Sequence, residues 1–109
     1  MFLPGKQEEL PAYFAALGHI VRLRIVQQLA GGGEETVTEL ARALRISQPR
    51  VSWHLRLLEL GGVVKTRREG RLTYCSLDEE TIRRRLTDFE AVLESRPAQA
   101  TAARREVLG

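Results

Sequence analysis

Few side chains in this 109-residue chain could carry catalysis, and their types and spacing do not form a catalytic group. The imidazoles are His19 and His54, and the single thiol is Cys75. Neither histidine has a nucleophile or a carboxylate at a spacing that would pair the two groups. The sequence also has no glycine-rich phosphate loop. These observations argue against an enzyme and leave binding as the chemistry to be explained.

The distribution of charge indicates what could be bound. Between residues 45 and 71, seven basic residues stand against two acidic ones, so this segment has a net charge of +5, whereas the whole chain has +3. Such a concentration is typical of a surface that binds nucleic acid, although a solvated basic face is the alternative. The basic residues are Arg45, Arg50, Arg56, Lys65, Arg67, Arg68 and Arg71.

Two helices joined by a tight turn are predicted between Thr36 and Leu60. Thr36 and Glu39 have the spacing of a capping box, which begins the first helix. Ser47 is a good N-cap for the second helix, and Pro49 is tolerated in its first turn. The apolar face of the second helix is formed by Val51, Leu55 and Leu58.

A β-hairpin is predicted directly after this helix pair, from Val63 to Leu77. Gly61 and Gly62 end the preceding helix, and alternating side chains follow on both arms. The predicted turn is residues 68–71, whose glycine can take a positive φ. In a helix-turn-helix protein, a hairpin in this position is a wing that lies over the phosphate backbone or the minor groove.

Three further helices are predicted around this unit, at Gln7–Leu17, at Ile20–Ala30, and from an N-cap at Asp78 to about Ser95. The chain is long enough for one domain, which we assign to residues 1–95. Residues 96–109 form a tail that is either a further half-ordered helix or disordered.

The first and last helices carry apolar stripes that a domain of this size cannot fully bury. A two-fold homodimer through these two helices is the simplest solution, and the alternative is that both stripes cover the core of the monomer. The stripe residues are Leu10, Tyr13, Phe14 and Leu17 in the first helix and Ile82, Leu86, Phe89 and Leu93 in the last.

Two segments resemble a known family. SQPRVSWHLRLLELGGVVKTRREGRLTYCSL is similar to the core of ArsR/SmtB-type bacterial repressors, with the pattern S-x-P/S-x-V-S-x-H-L, a glycine stop, a valine strand and a hairpin tipped by R-x-G-R. Upstream, ALGHIVRLRIVQQL resembles that family's signature A-L-x-x-x-x-R-L-x-I-L. The resemblance covers about residues 8–95. It implies a mainly α fold with a small β-hairpin (α+β), a winged helix-turn-helix that dimerises through its terminal helices.

The residues expected to contact DNA lie on the second helix of the pair and on the wing. Arg50 and Gln48 begin that helix, where arginine can pair with guanine and glutamine with adenine. Trp53 occupies a position that is usually polar or basic in the family, and it either presses on a thymine methyl or sugar or packs against a neighbouring element. Further expected contacts are Ser52 and Arg56 on the helix and Arg67, Arg68 and Arg71 on the wing.

A second group is expected to make phosphate or positioning contacts. It consists of Thr38, Ser47 and His54, and for His54 a purely structural role is the equal alternative.

The metal sites of the resembled family are not recognisable here. One family site uses C-V-C-D-L, but the matching residues Thr36–Leu40 have threonine at both thiolate positions. A second site needs histidine on the last helix, which has only carboxylates. No metal and no cofactor are therefore predicted. Cys75 is either a small buried side chain or a thiol sensor without a second cysteine.

The sequence therefore predicts a sequence-specific DNA-binding transcriptional repressor that acts as a homodimer on a palindromic operator. Its signal is left open between an unknown small-molecule effector, a partner protein and control by protein level. Two alternatives are a winged-helix module that binds protein without specific DNA binding and an RNA-binding winged helix. The sequence has no apolar run that could span a membrane and no signal-peptide pattern, so a cytoplasmic location is expected.

Overall fold

The structure of the protein is a computed structural model that describes residues 7–95. This part of the chain contains five α-helices and a three-stranded antiparallel sheet, preceded by a 3-10 helix at Gln7–Glu9. The elements are α1 (Leu10–Leu17), α2 (Ile20–Gly32), β1 (Glu35–Thr36), α3 (Val37–Leu44), α4 (Gln48–Leu60), β2 (Val64–Glu69), β3 (Leu72–Leu77) and α5 (Glu79–Glu94).

The mainly α architecture with a small β-hairpin is confirmed, and α2 continues two residues beyond its predicted end. The predicted tail at residues 96–109 lies outside the described residues, as do residues 1–6. Within residues 7–95, no helix is long and apolar enough to cross a membrane.

The two central helices begin at the capping residues that the sequence predicts. Thr36 Oγ1 accepts a hydrogen bond from the Glu39 backbone N–H at 3.1 Å, and the Glu39 carboxylate accepts one from the Thr36 N–H at 2.8 Å. Ser47 caps α4 by accepting a hydrogen bond from the Arg50 N–H at 3.4 Å. Between the helices, Arg45 takes the left-handed conformation with a φ of 59°. These local contacts fix the start of α4, which carries most of the predicted DNA contacts.

The apolar faces of the helices meet in one core beneath α4. Val51 and Leu58 of α4 are fully buried, as is Ile25 of α2. Leu40 of α3 and Val63 at the entry to the hairpin complete the centre of this cluster. Because burying a large aliphatic side chain contributes about 1.5–3 kcal/mol, this cluster holds α4 firmly against α2 and α3.

Helices α1 and α4 approach each other closely at Gly61. A Cβ atom at this position would lie 2.4 Å from the Cβ of Ala16 and 3.0 Å from the carbonyl oxygen of Ala12. The left-handed stop that the sequence predicts for the glycine pair is made by Gly62, with a φ of 81°, whereas Gly61 has a φ of −80°. Gly61 is therefore required by packing and Gly62 by backbone conformation.

The hairpin is confirmed, but its turn is shorter than predicted. Glu69 pairs with Leu72, so only Gly70 and Arg71 lie between the strands, and Gly70 has a φ of 62°. Strand β1 pairs with β3 and extends the hairpin to three strands in the order β1-β3-β2. The sequence does not predict β1, because two residues are too few to show strand alternation.

Helix α5 is tied to the start of the described chain by a buried arginine. Arg85 is 7% exposed and donates hydrogen bonds to Asp88, at 2.8 Å, and to Glu9. The helical pattern does not distinguish Arg85 from Arg83 and Arg84, which are exposed. Asp88 lies one turn further along the same helix, but only the tertiary structure brings the carboxylate of Glu9 to Arg85. Carboxylate partners are the condition for burying a charge.

Candidate nucleic-acid interface

The outer face of α4 presents exposed polar and cationic side chains. Arg50 and Arg56 form no ion pair with any carboxylate in residues 7–95. Gln48 Nε2 donates to Thr38 Oγ1 at 2.9 Å, which ties the first turn of α4 to the first turn of α3. An arginine without an internal partner keeps its charge and its donors for a ligand. The predicted contact residues exposed on or beside this face are Thr38, Ser47, Gln48, Arg50, Ser52, Trp53 and Arg56.

The three wing arginines lie in different environments. Arg68 and Arg71 are exposed near the turn, and no described carboxylate pairs with them. Arg67, in contrast, donates to Glu34 through Nε at 3.0 Å and Nη2 at 2.8 Å, and to Glu69 through Nη1 at 2.6 Å. The sequence predicts that Arg67 contacts DNA, but in the structure two carboxylates already compensate its charge, so it is not free for a phosphate.

Arg67 instead joins the wing to the segment before β1. Its hydrogen bonds to Glu34, followed in size of effect by the one to Glu69, raise the pKa of its guanidinium. The hydrogen bonds from Arg67 lower the pKa of Glu34. The guanidinium also lies 4.3 Å above the ring centroid of Tyr74 on the neighbouring strand. These contacts give Arg67 a positioning role at the base of the wing.

His54 is a predicted DNA contact that the structure withdraws from the surface. It is 3% exposed, and its ring centroid lies 4.7 Å from that of His19 and 4.9 Å from that of Trp53. Burial lowers the pKa of His54, and the positive charges of His19, Arg22 and Arg50 act in the same direction. His54 therefore cannot contact a phosphate directly in this conformation, and its burial fits the alternative of a purely structural role.

Trp53 packs against neighbouring side chains, which is one of its two predicted alternatives, and it also remains partly exposed. Its side chain is 57% exposed, which leaves indole surface available to a ligand. The remaining surface packs inward, because the ring lies 5.9 Å from Cζ of Arg22 as well as near His54. Sequence reasoning did not single out Arg22 for function, because a cation on an amphipathic helix is usually solvated. The structure buries it at 9% exposure.

The predicted dimer stripes are divided by the fold. Leu10 and Tyr13 are 6% and 2% exposed. The chain itself covers these two side chains, so they have no surface left to offer to the predicted dimer interface. Tyr13 lies in the core cluster, and burial raises the pKa of its hydroxyl. Leu17 and Ile82 are partly buried against the same core.

The other four stripe residues form an exposed apolar surface shared by α1 and α5. The rings of Phe14 and Phe89 meet edge to face with their centroids 5.1 Å apart, which joins the two helices. We call this the α1–α5 apolar surface. Its members are Phe14, Leu86, Phe89 and Leu93, with exposures of 38%, 47%, 40% and 62%. Contiguous apolar surface of this kind is typical of an interaction site.

The groups that could bind a metal or react as a thiol are also placed by the structure. No three His, Cys, Asp or Glu side chains within residues 7–95 are grouped in a way that could hold a metal ion. Cys75 is fully buried, and desolvation followed by the charges of Glu59 and Glu34 raises its pKa to about 11. Because the thiolate is the reactive species, the small buried alternative fits Cys75.

The arrangement defines a class of protein. Helices α3 and α4 form a helix-turn-helix whose second helix presents exposed cations, and the β2–β3 hairpin places two more near its tip. None of these cations forms an ion pair with a described carboxylate. This is the architecture of a winged helix-turn-helix DNA-binding domain.

Comparison with known sequences gives the same class. A sequence model of helix-turn-helix domains matches residues 17–67. A cadmium resistance transcriptional regulatory protein CadC homolog from Staphylococcus aureus is 40% identical over 70 residues, covering 64% of this chain and 58% of that protein. A transcriptional repressor SmtB homolog from Synechocystis is 37% identical over 75 residues, covering 69% and 56%. These matches therefore span less than two thirds of the length of either relative.

A solved structure extends the comparison to the fold. The homodimeric winged helix-turn-helix DNA-binding domain of a possible ArsR-family regulator from Mycobacterium bovis has a TM-score of 0.65 and 30% identity, with 80% of each chain covered. The chain belongs to the ArsR/SmtB family of winged helix-turn-helix transcriptional regulators. Its family and fold are those of regulators and not of enzymes.

Proposed function

We propose that this protein represses transcription by binding a palindromic DNA operator as a homodimer. The observation that carries the proposal is a set of exposed arginines that form no ion pair within residues 7–95, Arg50 and Arg56 on α4 and Arg68 and Arg71 at the wing tip. In the proposed complex, α4 enters the major groove with Arg50 and Gln48 near base edges. The wing tip adds phosphate contacts that fix orientation and register.

The homodimer is supported by the α1–α5 apolar surface. Its four exposed side chains come from the first and last helices, as a two-fold contact through these helices requires. The related domain from Mycobacterium bovis is described as homodimeric. Two-fold symmetry places the half-sites about one helical turn, roughly 34 Å, apart.

The signal that controls binding is proposed to be a small organic molecule or a partner protein. Thr36 and Thr38 occupy the positions where the family's soft-metal site has cysteine thiolates, and a threonine hydroxyl is not a soft ligand. A cytoplasmic location remains the prediction, because the proposed ligand is genomic duplex DNA.

Selection from a random duplex pool at near-physiological salt tests the DNA-binding proposal. The expected result is an enriched, imperfectly palindromic sequence whose binding is unchanged by added zinc. A reporter gene placed behind that sequence should then be expressed less when the protein is produced. A pool that shows no enrichment contradicts operator binding, and reporter activation contradicts repression.

The Arg50→Ala variant tests which helix reads the operator. We expect it to lose about 1–3 kcal/mol of affinity for the selected sequence and to relax selectivity at one base position. Arg83→Ala is the matched control, since it removes the same charge from an exposed arginine on α5. Equal losses in both variants would mean that only overall charge is sensed and would contradict base reading by Arg50.

A further inference from the structure

An open groove lies between α1 and α4, on the side of α4 that carries Trp53 and Leu57. Its volume is about 320 Å³. Its α1 wall consists of alanines, whose small side chains leave the groove open beside the close contact of the two helices at Gly61. The lining residues are Ala12, Ala15, Ala16, Arg22, Leu57, Leu60 and Gly61, so Arg22 supplies the charge in an otherwise apolar wall.

The guanidinium of Arg22 is buried with no carboxylate partner among residues 7–95. Its Nη2 reaches the carbonyl oxygen of Ala15 at 3.5 Å, the outer limit of a hydrogen bond. Its Nε and Nη1 are buried and have no hydrogen-bond partner within the described part of the chain. No carboxylate of residues 7–95 forms an ion pair with it. A buried charge in this situation is costly unless an opposite charge reaches it.

Other positive charges lie near Arg22. His54 packs on the same indole as Arg22, and the charges of His19 and Arg50 act on it together with that of Arg22. All three disfavour protonation of His54. Nδ1 of His54 is also buried, and no described residue forms a hydrogen bond with it. A water molecule could satisfy Nε and Nη1 of Arg22, but it would leave the charge of Arg22 uncompensated. An anion would do both.

We infer that this groove binds a small organic carboxylate with an apolar tail, with the carboxylate at Arg22 and the tail along Leu57, Leu60 and the α1 alanines. A carboxylate matches the planar fork of donors on a guanidinium, and apolar walls with one fixed polar group are typical of small-molecule sites. The groove has about twice the volume of a ~150 Å³ cavity that holds benzene, which suits a short alkyl or aryl chain. This inference does not depend on DNA binding.

Tryptophan fluorescence tests the inference directly, because Trp53 is the single tryptophan and lies beside Arg22. Octanoate is titrated into the full chain, without DNA and below its aggregation concentration. We expect a saturable change in Trp53 emission. Octanol, which lacks the charge, and acetate, which lacks the tail, should each bind at least about tenfold more weakly. A flat octanoate titration, or equal binding of octanol, overturns the inference.

Two variants locate the site. Arg22→Gln should weaken octanoate binding by at least about tenfold, whereas Arg83→Gln, which removes an exposed charge from α5, should leave it unchanged. Because replacing a buried arginine can disturb folding, Ala12→Leu provides a second test that keeps Arg22 and fills the groove from the exposed surface of α1. Circular dichroism checks that the variants are folded. Octanoate affinity that is unchanged in Ala12→Leu, or reduced equally in the two arginine variants, overturns the assignment.

Discussion

The guanidinium of Arg67 on β2 donates two hydrogen bonds to the carboxylate of Glu34, which precedes β1. The neighbouring Arg68 has no such partner within residues 7–95. Two adjacent arginines of one strand therefore differ in what they can offer to DNA. Arg67 holds the wing in place, and Arg68 keeps its charge available for a phosphate.

Arg67→Ala and Arg68→Ala should differ in the salt dependence of DNA binding. Each phosphate contact contributes about 0.9 to the slope of log affinity against log salt concentration, so Arg68→Ala should flatten the slope by about 1. Arg67→Ala should change it by less than about half as much, because Arg67 already has two carboxylate partners. Titrations of a fixed duplex over a range of salt concentrations measure both slopes. Equal flattening would mean that Arg67 leaves Glu34 for the phosphate backbone.

Leu86→Asp should dissociate the proposed homodimer. A carboxylate in the centre of the α1–α5 apolar surface would be buried without a partner on dimerisation, which is strongly unfavourable. Sedimentation equilibrium measures the outcome. Leu72→Asp is the control, because both leucines are 47% exposed but Leu72 lies on the wing. A Leu86→Asp protein that still sediments as a dimer would show that the subunits meet elsewhere.

Gly61→Ala should destabilise the fold although the added group is a single methyl. That methyl would meet the Cβ of Ala16 at 2.4 Å, and overpacking of this kind costs about 1–3 kcal/mol. Gly31→Ala is the matched control, since no heavy atom lies within 4 Å of a Cβ at that helical position. It should gain about 0.4–1 kcal/mol by reducing the entropy of the unfolded chain. Urea unfolding curves compare the two, and a neutral Gly61→Ala would mean that α1 is free to move away.

His54 should make stability depend on pH in a defined direction. Its folded pKa lies below the ordinary value of 6.5, chiefly through burial, so the unfolded state binds more protons below that pH. Stability from the neutral His54 is therefore complete above about pH 6.5 and is lost as the pH falls toward the folded pKa, at up to about 1.4 kcal/mol per pH unit. Urea unfolding from about pH 7.5 to about pH 5.5, where carboxylates remain ionised, measures this loss.

His54→Leu is the variant that isolates this contribution. It should show a smaller loss of unfolding free energy over the same pH interval, whatever its stability at neutral pH. If the variant and the unchanged protein lose the same amount, the proton uptake belongs to another group and not to His54.

Much of the local structure could be predicted from the sequence because it depends on neighbours in the chain. The capping box of Thr36 and Glu39 is closed by bonds across three residues, and so is the N-cap at Ser47. The helical stripes and the hairpin follow from periodicity, which a sequence displays directly. The exposed cations Arg50, Arg56 and Arg68 were also predictable, since an unpaired arginine on an outer face is the ordinary case.

The sequence by itself determined the helix pair, the wing and the face of α4 that carries the charge, because hydrogen bonds and side-chain periods within each element fix these features. Only the tertiary structure decided that Arg67 pairs with Glu34 and that His54 and Arg22 are buried. It also separated the inward Tyr13 from the outward Phe14 on one short helix. These outcomes depend on which helices and strands meet and on the distance between them. The packing of the whole core sets those contacts, and a local pattern in the sequence does not show how the core will pack.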